Sequence, residues 1–467
     1  MRFPLCFVML AGCAPLTVGP GRVLPASLQY DPVTFAATPR PRSVEAPRRL
    51  LLPNGLEVFW AEDHGSQLVD VAVLVGCGRG DEPAGSPELT GAMLGLIFSA
   101  GAGARDSKAQ RRVAAELGVD PSVTTDDGES WATFTVGTAE LGPALELLRD
   151  ALASPRFELG AVIENRERWA TRFDSPVMRH ARLARRTRAR AIYGNVPTLS
   201  QVATAATVRS ITDELLKTHA GLCLQPANLV LSVAGDLTEA SLTAALTPLA
   251  GLQGSSRMKH LPPAPTPTSR WLWLVPSPLT NKVQVDLLGP GLAPGSPHRA
   301  AARVLLVGLL SRLQLELRQQ MGHVYSITGD VDVGPGSGAT WLRFTTRSEV
   351  AVEAVRRTIA IVQSWWERWP FDEVITGKIA SGLRLDHHRG SATRRSFEAA
   401  RARLQDREAW DPRPVDEQLA RVELEELRAF FASSLRPDRL QVVISGAFDA
   451  TLDWEQFGPV TRVQPLQ

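Results

Sequence analysis

A chain of 467 residues with 44% hydrophobic and 21% charged residues is globular and has room for two or more domains. A formal net charge of +2 gives no electrostatic case for nucleic acid or a strongly acidic substrate as partner. With four cysteines in this length, neither a disulfide framework nor a cysteine-built metal framework is visible.

The chain opens with Arg2, an apolar run over Phe3–Leu10 and small residues before Cys13, the architecture of an export signal. The run is too short for a permanent bilayer span. Leu10-Ala-Gly-Cys13 looks like a bacterial lipoprotein lipobox, which implies cleavage before Cys13 and acylation of that residue. Ala14 in the next position implies sorting to the outer membrane, facing the periplasm. The other reading is a plain secretory signal with a chance cysteine. Residues 1–12 are thus the signal, and Cys13 with a Pro-rich stretch to 47 is the tether.

Asn54-Gly55 is a tight-turn signal before a strand, and Leu68–Val75 is a second, apolar strand. Across 87–100, Leu89, Ala92, Met93, Leu96, Ile97 and Ala100 recur at helical spacing, and Gly101 and Gly103 end that helix. Helices follow over 107–117, 141–153, 157–173, 177–192 and 208–219, with strands over 130–137 and 229–237. After a Pro-rich linker the order returns: strand 282–289, helix 297–317, strand 339–346, helices 350–368 and 421–434, strand 440–446. Gly235 and Gly446 close matching strands 211 residues apart, each after a helix and a Pro-bearing turn. An internal duplication accounts for this and gives lobes at 48–255 and 271–460, joined by 256–270. The fold class is α+β, with two homologous lobes, each a mostly antiparallel sheet covered by helices.

Several segments carry a plainer reading beside a functional one. The arginines at 179, 182, 185, 186, 188 and 190 read as a solvated helix face, with acidic lipid headgroups or an acidic partner as the alternative. Asp126-Asp-Gly-Glu129 is too short for a calcium loop and reads as a turn. Gly334–Gly338 lacks the Lys-Ser/Thr of a phosphate loop and reads as a hairpin turn. His387-His388 reads as exposed polar residues, and Trp365, Trp366 and Trp369 as packing residues.

Leu52-Pro-Asn-Gly-Leu-Glu-Val58, Asp174-Ser-Pro176, Tyr193-Gly194, Val233-Ala-Gly-Asp236 and Leu310-Ser-Arg-Leu313 occur in an informative order. With Leu317-Arg-Gln-Gln-Met-Gly-His-Val-Tyr-Ser326 they resemble the insulinase/pitrilysin-type zinc peptidases (inverzincins), which include the mitochondrial processing peptidase. The resemblance implies that the two lobes enclose a central chamber, in the mitochondrial processing peptidase/LuxS-like metallohydrolase fold. Zinc hydrolysis in that family uses an inverted HxxEH, two imidazoles one helical turn apart with a general-base Glu between them. Matching Phe98 to the family motif puts Gly91, Leu94 and Gly95 at those positions, and none can ligate a metal or move a proton. The third ligand position falls near Arg168, with Glu167 adjacent, and no two of the eight histidines are four apart. No zinc is therefore expected in this chain.

The resemblance also places at Arg318 and Tyr325 the pair that hydrogen-bonds the substrate carbonyl across the chamber. Their plain readings are a helix C-terminal cation and a half-buried strand residue. The function implied is a non-catalytic subunit that pairs with an HxxEH-bearing homologue, binds peptide and lends it Arg318 and Tyr325, with zinc in the partner. The alternatives are an inert structural or peptide-binding envelope lipoprotein and, further off, an active zinc metalloendopeptidase with relocated ligands.

Overall fold

The computed structural model describes residues 46–194, 196–255, 267–277, 281–293, 296–332, 338–368, 374, 377–378, 391–405, 419, 421–449 and 451–464. The signal segment with Cys13, the tether to residue 45, most of the linker, the turn at 334–337, Trp369 and the histidine pair 387–388 lie outside the described residues.

The first half runs β1 (Arg48–Leu51), β2 (Glu57–Glu62), β3 (Leu68–Val75), α1 (Leu89–Leu96), α2 (Ser107–Glu116), β4 (Ser122–Thr125), β5 (Ser130–Gly137) and α3 (Leu141–Ala153). It continues with α4 (Leu159–Phe173), α5 (Pro176–Tyr193), α6 (Pro197–Ser200), α7 (Ala205–Arg209), α8 (Asp213–Cys223), β6 (Leu229–Gly235) and α9 (Glu239–Leu246). The second half contains β7 (Trp271–Pro276), β8 (Lys282–Pro290), α10 (Arg299–Leu313), β9 (Val324–Val331), β10 (Ala339–Arg347) and α11 (Ala351–Glu367). Then come α12 (Ala392–Gln405), α13 (Leu424–Ser434), β11 (Gln441–Gly446) and β12 (Val460–Arg462).

Two six-stranded sheets result, in the orders β1-β2-β6-β3-β5-β4 and β12-β7-β11-β8-β10-β9. Five strands correspond one to one, including a parallel pair in each, β2 with β6 and β7 with β11. The sixth is recruited differently: β1 joins antiparallel from the start of the first half, whereas β12 joins parallel from the end of the second. The α+β duplication is therefore present in the structure. Gly235 and Gly446 show why it leaves a glycine mark. Both have left-handed φ, 143° and 124°. A Cβ at either would lie 2.1 Å from the carbonyl oxygen that begins the neighbouring strand, Leu68 or Lys282.

The central strands of each sheet are buried on both faces. On the first, Val58, Val71, Val73 and Leu231 pack under α1, α3, α8 and α9. The alternate residues Phe59, Ala72, Leu74 and Val230 meet Ala400 and Phe397 of α12, a helix of the second half. The second sheet mirrors this. Leu272, Val283, Val285 and Ile444 pack under α10, α11 and α13, while Val275, Leu288 and Val443 meet Leu183, Ala191 and Ile192 of α5, from the first half. The halves thus exchange a helix.

Polar groups fix the exchanged helices. Ser396 of α12 donates to the Phe59 carbonyl at 2.7 Å. Arg403 meets the buried Glu57 at 2.9 Å. Arg401 pairs with Glu129 at 2.6 Å and Asp126 at 3.1 Å, and Gln405 also donates to Glu129. The 126–129 turn is a turn, as read, but its acids dock α12. On α5, Arg188 reaches the fully buried Asp286 at 3.5 Å, which Arg343 also binds at 2.5 Å. The solvated-face reading of this helix is corrected: Arg182 is buried beside Phe173, and Arg185 lies 3.7 Å from Glu88.

Two other readings change, and a cysteine pairing that the sequence leaves open is present. The single helix expected over 208–219 is two, because Thr212 caps a fresh start by accepting from the Leu215 N–H at 3.2 Å. The helix expected to end at 317 is α-helical to Leu313 and continues as a π-helix over Gln314–Gln320. Cys77, just after β3, is joined to Cys223 at the end of α8 by a disulfide closing a sequence separation of 146 residues. Trp365 is buried and Trp366 stacks on Phe431 at 5.9 Å, so both pack, as read.

Replacing Arg401 with Met is expected to lower stability by about 3 kcal/mol, because it leaves the Glu129 carboxylate buried without its ion pair. Burial already raises the Glu129 pKa and Arg401 opposes that rise. The deficit is therefore expected to shrink on acidification, as Glu129 takes up a proton. Urea midpoints of both proteins across acid and neutral pH check this, and a pH-independent deficit would contradict it.

Candidate functional site

Two places carry the residues that the sequence singles out, one in each half. The first is α1. Its chain enters through Glu88, held in the left-handed region at φ 71°. The buried carboxylate of Glu82 caps it, accepting the Glu88 N–H at 2.9 Å and the Thr90 N–H at 3.0 Å.

Leu94 is fully buried in the first core. Gly91 faces β4, where an added Cβ would lie 3.3 Å from the Thr125 hydroxyl. Gly95 faces the end of the Trp169 indole, with Cζ2 3.6 Å from an added Cβ. The residue of α4 that faces α1 is therefore Trp169. Arg168 and Glu167, nearest the expected third ligand, point outward and are engaged elsewhere, Arg168 with Glu164 at 2.7 Å and Glu167 with Arg209 at 2.9 Å. The space beside Gly95 is occupied by an indole, and the helix keeps its position with no donor on that face.

Beside α1 lies a buried group the sequence did not bring together. His219 Nε2 is 3.5 Å from Cys223 Sγ, 3.7 Å from Cys77 Sγ and 2.9 Å from the Thr90 hydroxyl. Burial pushes the His219 pKa down to about 4, so its ring is neutral. Both sulfurs are committed to the disulfide, so no thiolate remains there for a metal. The i, i+4 spacing of His219 and Cys223 on a helix was visible in the sequence, but the third member lies 142 residues upstream of His219.

The second place follows α10. Glu316 is buried and held by Arg312 at 2.5 Å and by Arg357, which anchors the π-helical turn. That turn presents Arg318 outward. Gly322, with φ 64°, then reverses the chain into β9, and the His323 N–H returns to the Leu317 carbonyl at 2.9 Å. The reversal sets Tyr325 against Arg318, with the guanidinium carbon 5.5 Å from the ring centroid. Tyr325 is 82% exposed on β9, the edge strand of the second sheet. Among the described residues no carboxylate pairs with Arg318. A permanent cation and a phenol are thus held together with free donors. Tyr325 is far from half-buried, whereas Arg318 does lie in the last turn of the π-helical segment, as its plain reading as a helix C-terminal cation has it.

Among the described residues β4, the edge of the first sheet, also offers one unpaired side. It carries Thr125, the residue against Gly91.

Residues 210–369, which include Arg318 and Tyr325, match the family model described as the peptidase M16 inactive domain. No curated protein matches the chain in sequence. Among solved structures it is similar to a peptidase M16 inactive domain from Pseudomonas fluorescens, at 17% identity and TM-score 0.72, covering 87% of this chain and 99% of that one. It is similar to the periplasmic protease PqqL from Escherichia coli, at 18% identity and TM-score 0.67, covering 86% of this chain and 46% of that one. It is also similar to a chain of complex III2 from Candida albicans, at 13% identity and TM-score 0.67, covering 88% and 98%. The chain has the M16 fold, and its residues 210–369 match the peptidase M16 inactive domain.

Burial holds the Glu82 carboxyl up at about 7, against an ordinary 4.5, and holds Asp332, beyond β9, up at about 7 as well. An acid that binds its proton more tightly when folded stabilises the fold below its ordinary pKa and loses that contribution as pH rises through the raised one. Stability is therefore expected to fall between about pH 4.5 and about pH 7, by up to about 3 kcal/mol for Glu82. Glu82→Gln removes that share. Denaturant midpoints against pH are expected to give a shallower slope for the variant, and equal slopes would refute the assignment.

Proposed function

We propose that this chain is the non-catalytic half of a metallopeptidase pair. It binds an extended peptide and lends Arg318 and Tyr325 to hydrolysis at a zinc site carried by an HxxEH-bearing partner. The observation that carries the reading is the state of that pair: exposed, mutually positioned, without an acid partner among the described residues, and with Tyr325 on an edge strand. Two donors arranged in this way suit an oxygen that gains negative charge in the transition state. The free edges of β4 and β9 suit an extended peptide, which adds to a sheet through main-chain hydrogen bonds. Filling the α1 site with Gly91, Leu94, Gly95 and Trp169 leaves the metal to the partner.

The same filled site favours a second reading, an inert structural or peptide-binding lipoprotein. The two differ in whether the pair is used. In a complex with the partner peptidase, Arg318→Ala or Tyr325→Phe is expected to lower kcat about 10²-fold. Unchanged turnover would sink the donation and leave the structural reading. Zinc analysis of this chain alone is expected to find none, and one equivalent would instead restore a relocated metal site.

The chain is further proposed to reside in the cell envelope, acylated at Cys13 and held at the periplasmic face of the outer membrane. The Cys77–Cys223 disulfide supports an oxidising compartment. Labelling with a palmitate analogue is expected to mark the wild type and spare Cys13→Ser, and an unlabelled wild type would refute the anchor.

A further inference from the structure

The cleft between α5 and the β7–β12 edge of the second sheet is lined by side chains that Arg318 and Tyr325 do not involve. It has a volume of about 220 Å³ and is bounded by Arg186 and Arg190 of α5, Leu183 beneath them, Trp273 of β7, Arg462 of β12 and Val463. In the strand order this edge is opposite to β9.

Three cations meet in this cleft, and among the described residues no carboxylate lines it. Arg462 is satisfied by Glu455 at 2.9 Å. Arg186 and Arg190 have no acid partner among the described residues, in contrast to Arg185 and Arg188 on the same helix. Helix polarity accounts for a cation in the last turn of α5, where Arg190 lies. It does not account for Arg186, which is one turn earlier and half-buried. A half-buried guanidinium without a counter-charge carries a desolvation cost that a bound anion removes.

The remaining walls also have a defined state. The Trp273 N–H is given to Gln441 at 3.2 Å. The Thr187 hydroxyl is given to the Leu183 carbonyl at 2.8 Å, and Thr461 accepts from Trp271 at 2.8 Å. Besides the exposed Gln464 amide, the unspent polar groups are the two guanidinium forks. They stand at i and i+4 on one helix face, a spacing that lets both reach one ligand.

We propose that this cleft is an oxyanion-binding site. In it Arg186 and Arg190 take a carboxylate or phosphate group through paired charge-assisted hydrogen bonds. The Leu183–Val463 floor and the Trp273 ring receive the apolar part of the ligand. The inference stands apart from the peptidase-partner reading, because it uses neither Arg318 nor Tyr325.

The test is calorimetric titration of the intact protein with inorganic phosphate and, separately, with N-acetylglutamate, at constant ionic strength in chloride. Saturable one-site binding of at least one probe is expected, weakened at least about tenfold in Arg186→Gln/Arg190→Gln. Arg179→Gln, which removes one charge from the exposed start of the same helix, is expected to keep wild-type affinity. Unchanged thermal midpoints show that the double variant is folded. Binding of phosphate alone or of N-acetylglutamate alone supports the site and assigns its oxyanion. Absence of saturable binding of both probes overturns it. So does an equal loss in Arg179→Gln, which would reduce the effect to general charge.

Discussion

The reciprocal placement of α5 and α12 is the constraint on which the rest of the fold depends. A sheet with one apolar face can leave the other to water, but the central strands here do not. Phe59, Leu74 and Val230 on one, and Val275, Leu288 and Val443 on the other, are buried under a helix from the opposite half. Each sheet therefore lacks a layer without the other half. Residues 45–467 accordingly form one compact unit, although the sheets are duplicates. The polar contacts sharpen the arrangement more than they strengthen it. Asp286 and Glu57 are buried acids met by arginines, Asp286 by Arg188 of the exchanged α5 and Arg403 of α12 meeting Glu57. Such pairs add little net stability over apolar contacts, but a shifted register would leave a buried charge unpaired.

That constraint also explains which parts of the fold were legible in the sequence. The duplication was legible, because Gly235 and Gly446 answer to a steric demand that a single residue type meets. The strands over 68–75 and 130–137 and the helix over 141–153 were legible because their apolar spacing is local. α12 was not. Its buried residues are Ala392, Ser396 and Ala400, small side chains that let a helix lie close on a sheet while giving almost no apolar period. α5 was seen as a helix but misjudged as solvated, because an arginine facing a buried acid in a distant strand looks the same in sequence as one facing water. The short edge strands β1, β4 and β12 went unseen for a related reason: polar and half-exposed, they are strands by pairing and not by pattern.

The candidate site divides along the same line. The emptiness of the HxxEH positions was readable from Gly91, Leu94 and Gly95, since it depends only on residue type. What fills the space was not readable, because Trp169 comes from a helix more than seventy residues away in sequence and meets Gly95 only through the fold. Gly91, Leu94 and Gly95 leave no unpaired donor behind, so α1 keeps its packing without the charges a metal would have neutralised. The buried acid Glu82 beside it faces the helix N-terminus and has two N–H partners, a capping role independent of any metal.

The second half shows the opposite economy of groups. Packing would place a tyrosine's ring against apolar neighbours and an arginine's fork on an acid, as happens for Trp366 on Phe431 and Arg357 on Glu316. Tyr325 and Arg318 do neither. Arg318 stands in the last turn of a π-helical segment, a geometry rarer than the α-helix it continues, and Tyr325 follows on β9. An exposed edge strand carrying a large aromatic invites unwanted pairing and is normally blunted by charge or cover. Arg318 supplies charge beside Tyr325 yet leaves the strand's outer edge open. Glycine, leucine and tryptophan fill the space along α1, whereas Arg318 and Tyr325 leave a cation and a phenol exposed beside an edge strand.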